Sequence, residues 1–181
     1  MRLRLLVACF AVLFAAPAYG DQYLVQTGTD STLSIVILVR HAEKNPHPAG
    51  GDAGLKTKGL LRARELARVL GPFTVRAVYA SQYGRAELTA ALVAEGIGDS
   101  VRTYDANHLD ALAKRVRAEG HGLTVLVVGH ADTIGPTIEA LTGEALGRNE
   151  PAPYDGMWVL TLRDGGGYKL LRLRYGAKDE P

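Results

Sequence analysis

The chain has 181 residues, of which 47% are hydrophobic and 22% are charged, and these values predict one globular domain with a substantial core. The formal net charge of +2 comes from Arg2 and Arg4, because the other basic residues equal the 19 acidic residues in number. A balanced charge argues against nucleic acid or an anionic membrane surface as the partner.

Residues 1–20 have the pattern of a secretory signal peptide. A basic start precedes the apolar residues 5–16, and Ala18-Tyr19-Gly20 supplies small residues for a cut before Asp21. The apolar stretch is shorter than the about 20 residues that span a bilayer, which argues against a stable membrane anchor. The sequence therefore predicts a periplasmic or secreted protein. Cys9 is the only cysteine and would leave with the leader, as expected for a protein in an oxidising compartment.

The first predicted strand ends in a pair of residues with functional potential. Residues 21–33 form a polar lead-in segment, and residues 34–181 are predicted to be a single domain. Within it, residues 35–39 are all apolar and predict a strand buried on both faces. Arg40 and His41 follow where this strand leaves the sheet. Ligands bind outside the carboxyl ends of strands in open α/β sheets, so the pair suits an anionic ligand.

The rest of the chain alternates between helix and strand patterns. A helix is predicted over residues 57–70, with Thr57 as its cap and a charged face exposed to water: Lys58, Arg62, Arg64 and Arg68. A second helix over residues 84–95 is expected to turn three residues to the core: Leu88, Ala91 and Leu92. Further strands are predicted at residues 75–80, 101–104 and 123–128, further helices around Leu109–Val116 and Ile134–Leu141, and a terminal hairpin at 157–162 and 168–175. This order predicts an α/β fold, a three-layer sandwich with a mostly parallel central sheet and an antiparallel edge strand.

Two later segments also place a cationic or titratable residue just past a strand. One contains Ser81 and Arg85, followed by Thr89-Ala90, and the other is Gly129-His130. Together with Arg40-His41 they resemble the histidine phosphatase superfamily, also called phosphoglycerate mutase-like. That family carries an Arg-His after its first strand, a Ser-x-x-x-Arg-x-x-x-Thr-Ala element and a Gly-His after a later strand. The resemblance covers residues 34–175 and implies the phosphoglycerate mutase-like fold.

The resemblance implies a phosphohistidine at His41, with Arg40, Arg85 and His130 forming the phosphate pocket. These residue types suit phosphoryl transfer. Each guanidinium can hold two phosphate oxygens. A neutral imidazole can attack phosphorus if its other ring nitrogen is held as N–H, while His130 can stabilise the charge of the transition state. No cofactor is expected, and the sequence offers no clustered set of metal ligands.

The acid that protonates the leaving oxygen is open between three residues. The family's proton donor often follows the third strand, where Asp105 is the first candidate. A carboxyl desolvated by the pocket could stay protonated, although Asp105 could instead cap or turn the chain before the helix at Leu109. Glu43 can pair with Lys44 or with a pocket arginine, and Asp132 is better explained as a helix cap.

The short stretch between Arg85 and His130 has no room for a large inserted lid. An open pocket suits hydrolysis of varied phosphoesters better than mutase chemistry. The leading hypothesis is an exported phosphatase that hydrolyses small phosphomonoesters through phosphohistidine. A phosphoprotein or phosphohistidine phosphatase and a non-catalytic binder of phosphorylated ligands are the alternatives. The sequence makes no prediction of oligomeric state.

Overall fold

The computed structural model of the chain describes residues 33–46, 52–146 and 151–179. The predicted signal peptide and the lead-in residues 21–32 lie outside the described residues. Within them, strands and helices follow in this order: β1 Leu33–Arg40, α1 Thr57–Leu70, β2 Val75–Ser81, α2 Gly84–Gly96, β3 Val101–Tyr104, α3 Leu109–Glu119, β4 Thr124–Gly129, α4 Ile134–Thr142, β5 Gly156–Arg163 and β6 Tyr168–Arg174. No helix in this part of the chain has the length and apolar character needed to cross a membrane.

The six strands form one sheet in the order β3-β2-β4-β1-β5-β6. The first four of these run parallel, whereas β5 is antiparallel to β1 and β6 is antiparallel to β5. Helices α1 and α2 pack on one face of the sheet, and α3 and α4 pack on the other. The predicted three-layer α/β sandwich with an antiparallel edge is confirmed.

Strand β1 lies between β4 and β5 and divides its side chains between the two cores. Val36 and Leu38 belong to the core beneath α3 and α4, and Ile37 and Val39 belong to the core beneath α1 and α2. This alternation follows from the pleat of a strand and explains why an unbroken apolar run is needed. The parallel register pairs Arg40 with Gly129, so β1 and β4 end side by side.

Helix α1 differs from the prediction on its charged side. Arg62 was expected to face water but is only 3% exposed. Its Nε and Nη2 donate hydrogen bonds to the carboxylate of Glu43 at 3.0 and 2.8 Å, and its Nη1 donates to the carbonyl oxygen of Tyr175 at 3.2 Å. Although burial opposes its ionisation, hydrogen bonds and the charge of Arg62 lower the pKa of Glu43. Thr57 is not the cap, because the helix is preceded by Lys56 and has no side-chain cap.

Helix α2 also turns a different face inward than the sequence predicted. Leu88 is 45% exposed, whereas Ala86, Ala90 and Thr89 are fully buried. The Thr89 hydroxyl accepts a hydrogen bond from the Ala42 N–H at 2.9 Å and donates to the Arg85 carbonyl oxygen at 2.7 Å. The expectation for Leu88 was therefore wrong, because a polar contact with the segment after β1 sets the orientation of this helix.

Replacement of Arg62 by Met should destabilise the protein by about 3–5 kcal/mol, because it leaves the buried Glu43 carboxylate without hydrogen bonds from a guanidinium and with only Lys58, 3.7 Å away, as a cation. Arg68→Met is the matched control, since Arg68 makes the same bidentate contact with Glu65 on the same helix but in solvent. That control should leave the free energy of unfolding nearly unchanged. Urea unfolding of both variants tests the prediction, which fails if the two lose equal stability.

Candidate active site

The carboxyl ends of β1 and β4 and the start of α2 bring four predicted site residues together. Arg40 ends β1 and His41 follows it, His130 follows β4, and Arg85 lies in the first turn of α2. The imidazole centroids of His41 and His130 are 5.2 Å apart. The Arg85 Nε lies 3.2 Å from His41 Nε2, and its Nη2 lies 3.4 Å from His130 Nδ1. Two imidazoles and a guanidinium thus share one small volume.

The hydrogen bonds of His41 define its tautomer. Its ring is only 4% exposed, and Nδ1 lies 2.8 Å from the carbonyl oxygen of Ala42. A carbonyl oxygen can only accept, so the neutral ring carries its proton on Nδ1. Nε2 then carries the unprotonated lone pair, which accepts a hydrogen bond from the Arg85 Nε–H at 3.2 Å. This is the form of histidine that can attack an electrophile.

His130 is fixed by two hydroxyl groups. Its Nε2 lies 2.7 Å from Ser81 Oγ at the end of β2, and its backbone N–H donates to Thr133 Oγ1 at 2.8 Å. The guanidinium of Arg85 can only donate, so Nδ1 accepts from it and Nε2–H donates to Ser81. A hydroxyl can also donate, which means that Ser81 can support the other tautomer when Nδ1 has to donate to an anion. The sequence marked Ser81 as part of a motif but not as the partner of His130.

The Arg40 guanidinium is held on two sides, while its buried Nε–H has no partner among the described residues. Its Nη1 donates to the carbonyl oxygen of Ala152 at 3.0 Å, and its Cζ lies 3.6 Å from the ring centroid of Tyr154. The Nε atom is buried and has no hydrogen-bond partner among the described residues. A buried donor without a partner costs about 1–3 kcal/mol, so this atom is suited to an anionic oxygen. Tyr154 and Ala152 were not identified from the sequence, because the loop that carries them has no periodic pattern.

The Arg85 guanidinium is anchored on its outer side by Asp52. Its Nη1 lies 3.4 Å from Asp52 Oδ1, while Asp52 Oδ2 accepts a hydrogen bond from the Gly84 N–H at 2.5 Å. The same guanidinium lies 4.3 Å from the ring centroid of Tyr83. With its outer nitrogen held by Asp52, Arg85 directs Nε and Nη2 towards the two histidines. Asp52 was also missed, since a single loop aspartate carries no signal in one sequence.

Both pocket histidines are neutral near pH 7. Burial, followed by the charge of Arg85 and then of Arg40, lowers the pKa of His130 to about 4. Burial also lowers the pKa of His41 to about 4, with further contributions from His130, Arg85 and Arg40. Cationic groups without a matching set of carboxylates leave the pocket positive. A bound anion would reverse these effects, because it favours the protonated rings.

Two of the three candidate acids take the alternative places that the sequence left open, Asp105 in a turn and Glu43 beside an arginine. Asp105 is exposed and accepts a hydrogen bond from the Asn107 N–H at 2.9 Å, with His108 Nδ1 at 2.8 Å from its second oxygen. These hydrogen bonds lower the pKa of Asp105, so the expectation of a desolvated carboxyl was wrong. Glu43 is bound to Arg62, and Asp132 is exposed and does not cap α4.

The geometry suits a phosphate-sized anion beside His41. Among the residues described, no group of three or more His, Cys, Asp or Glu side chains is placed to hold a metal ion.

Residues 36–106 match the family model of the histidine phosphatase superfamily (branch 1). Over these residues the chain is similar to the histidine phosphatase superfamily. The resemblance inferred from the sequence is confirmed.

Solved structures from this group of phosphatases share the fold. SixA from Nakamurella multipartitia is 25% identical, with a TM-score of 0.62 over 80% of this chain and 98% of that one. The protein histidine phosphatase SixA complexed with tungstate is 21% identical, with a TM-score of 0.61 over 77% and 96%. A mycobacterial glucosyl-3-phosphoglycerate phosphatase is 15% identical, with a TM-score of 0.63 over 80% and 100%. No curated protein sequence matches the chain.

The ring resonances of His41 and His130 should titrate together near pH 4 in the free protein, because burial disfavours their charged forms. Addition of vanadate or phosphate should move both midpoints upward, since the anion stabilises the protonated rings. NMR titration with and without the anion measures both effects, and a His130→Gln variant assigns the two signals. Midpoints that stay unchanged with bound anion would contradict the assignment of this pocket as the anion site.

Proposed function

We propose that the chain is an exported phosphatase that hydrolyses small phosphomonoesters through a phosphohistidine on His41. The observation that carries the proposal is the position of His41 Nε2. Nε2 is unprotonated because Nδ1 faces the Ala42 carbonyl, and its lone pair accepts a hydrogen bond from Arg85 Nε at 3.2 Å that a phosphate oxygen can take over. A nucleophile placed beside a guanidinium is the arrangement that phosphoryl transfer requires.

In the first step, His41 Nε2 attacks phosphorus and the bond from phosphorus to the leaving oxygen breaks. Arg85 and the unpartnered Nε of Arg40 neutralise the phosphate oxygens. His130 donates from Nδ1 to a phosphate oxygen, while the Ser81 hydroxyl donates to its Nε2. The Ala42 carbonyl stabilises the positive charge that develops on the His41 ring. The leaving oxygen takes a proton from an acid or from water.

In the second step, water attacks the phosphoryl group of phosphohistidine. The bond between phosphorus and Nε2 breaks, inorganic phosphate leaves, and His41 regains its lone pair. The proton lost by the attacking water passes to solvent. The same guanidinium groups and His130 stabilise this transition state, so one pocket serves both steps.

His41→Ala should abolish turnover of p-nitrophenyl phosphate and acid-labile labelling by a phosphorylated substrate. His130→Ala should lower kcat by about 10²–10³-fold through the loss of one donor to the transition state. His121→Ala is the control, because His121 is exposed and pairs with Asp164. Steady-state kinetics measures the turnover of each variant, and circular dichroism checks that the variant is folded. Residual turnover in His41→Ala would rule out phosphohistidine chemistry, and anion binding without turnover in the unaltered protein would favour a non-catalytic binder.

The supply of the leaving-group proton favours a second candidate function. Asp105 is committed to a turn, Glu43 to Arg62, and the carboxylate of Asp52 to Arg85 and Gly84. A phosphatase with such a pocket is best suited to substrates whose leaving group needs little protonation. A phosphohistidine side chain is one of these, and a protein histidine phosphatase is among the proteins with this fold. The second candidate is therefore a phosphohistidine phosphatase.

Asp105→Asn decides between an acid role and a turn role for Asp105 through the leaving group. An alkyl phosphate leaves as a strongly basic alkoxide and needs the proton, whereas nitrophenolate hardly does. If Asp105 is the acid, the variant should lose alkyl phosphate hydrolysis and keep nitrophenyl phosphate hydrolysis. Measurement of kcat/KM for both substrates decides whether Asp105 is the acid. Equal losses, or none, would remove Asp105 from the mechanism and direct the same test to Glu43 and Asp132.

Export is proposed from residues 1–20 alone, on their basic start, apolar stretch and small residues before Asp21. Expression of the full chain in a bacterial host should give a periplasmic or secreted form that begins at Asp21. N-terminal sequencing and mass spectrometry of that fraction provide the measurement. A mature chain that still begins at Met1 would contradict the proposal.

A further inference from the structure

The loop before β5 supplies both contacts that hold Arg40. The Ala152 carbonyl oxygen accepts a hydrogen bond from its Nη1, and the Tyr154 ring stacks on its guanidinium. The loop itself is attached to the end of β4 by a hydrogen bond from the Ala152 N–H to the Ala131 carbonyl oxygen at 2.7 Å. The position of Arg40 therefore depends on the position of Tyr154 as well as on strand β1.

The segment after β6 binds this loop through two aspartates. Asp179 Oδ2 accepts a hydrogen bond from the Tyr154 N–H at 2.7 Å. The buried Asp155 accepts from the Asp179 N–H at 3.2 Å and from Arg174 Nη1 at 2.5 Å. The Asp155 carbonyl oxygen accepts in turn from the Tyr175 N–H at 2.9 Å. Each aspartate thus joins the loop to the C-terminal segment. The loop donates a hydrogen bond to Asp179, and the Asp179 N–H donates one back to Asp155.

We propose that Asp179 is a positioning residue for the Arg40 phosphate clamp, acting through Tyr154. One carboxylate oxygen fixes the backbone of Tyr154, and the ring of Tyr154 fixes the plane of the Arg40 guanidinium. The Arg40 guanidinium is then already oriented before an anion binds, so binding costs little side-chain conformational entropy. Asp179 therefore influences the anion site through Tyr154, although it lies about 140 positions from Arg40 in sequence.

This inference rests on the proposed role of Arg40 in phosphate binding, and its first readout is independent of activity. In ¹⁵N-arginine-labelled protein, the buried Arg40 Nε–H should exchange slowly with solvent. Asp179→Ala should accelerate that exchange and broaden the Arg40 Nε–H resonance. Asp179→Asn should restore it, because an amide oxygen can still accept from the Tyr154 N–H. Asp164→Ala is the control, since Asp164 also makes one contact through Oδ2, to the His121 ring and not to a backbone N–H, and lies in the β5–β6 turn.

The second readout is anion affinity. Asp179→Ala should raise KM for p-nitrophenyl phosphate and the inhibition constant of vanadate by about 3- to 10-fold, as expected for one lost ordering hydrogen bond, with little change in kcat. Asp179→Asn and Asp164→Ala should match the unaltered protein. In an Arg40→Ala background, Asp179→Ala should cause no further change, because its effect passes through Arg40.

The outcomes separate this inference from the proposed function. Unchanged Arg40 Nε–H exchange in Asp179→Ala would overturn the inference even if the enzyme is fully active. An equal loss of affinity with and without Arg40 would also overturn it, because the effect would then be a general loss of structure. Turnover that survives His41→Ala would overturn the proposed function, while the exchange measurement would still decide the role of Asp179.

Discussion

Two imidazoles and two guanidiniums share one largely buried pocket, and this crowding of cationic groups governs the rest of the site. Burial is the main reason that the histidines remain neutral, and the nearby guanidiniums add to it, since like charges about 4 Å apart repel by about 4 kcal/mol at an effective dielectric constant of 20. Their neutrality leaves His41 Nε2 unprotonated, with a lone pair that accepts a hydrogen bond from Arg85. The same crowding leaves the Nε of Arg40 without a partner among the described residues. The pocket thus contains a nucleophile and an unpartnered hydrogen-bond donor. A phosphoryl group can react with the nucleophile while one of its oxygens accepts from the donor.

The fold keeps the carboxylate nearest to His41 in sequence, that of Glu43, out of the pocket. Glu43 follows His41 by only two positions, and a carboxylate there would cancel the charge of Arg40 or Arg85 if it turned inward. Arg62 prevents this, because it holds both oxygens of Glu43 in a buried pair on the side of α1. Gly59 permits the close approach of α1, since a Cβ at this position would overlap the Glu43 carbonyl oxygen. The partners of the histidines are a carbonyl and a hydroxyl, which fix the rings without adding negative charge. The buried ion pair therefore has a functional consequence beyond its effect on stability.

The sequence predicted what depends on local pattern. Helix α1 and strand β3 have the predicted bounds because their periodicity and their flanking residues agree with each other. The convergence of Arg40 and His130 followed from the rule that parallel strands present their carboxyl ends together. The burial of Arg62 and the exposure of Leu88 could not be predicted, because a periodic pattern defines faces but not the partner that covers them. Tyr154, Asp52 and Asp179 act through contacts between loops, and these arise only when distant segments pack.

A pocket of neutral histidines links the chemistry of the site to its acid stability. The pKa of each ring falls from about 6.5 in the unfolded chain to about 4 in the folded protein, because burial disfavours the charged form. Between these values the unfolded chain binds protons that the folded protein does not, so stability decreases as the pH falls through this window. A bound phosphate acts in the opposite direction, since it favours protonated rings and raises the folded pKa of each histidine. The anion should therefore stabilise the protein more strongly at pH 5 than at pH 7.5. The same interaction that holds a phosphoryl group in place would then protect the fold under acidic conditions.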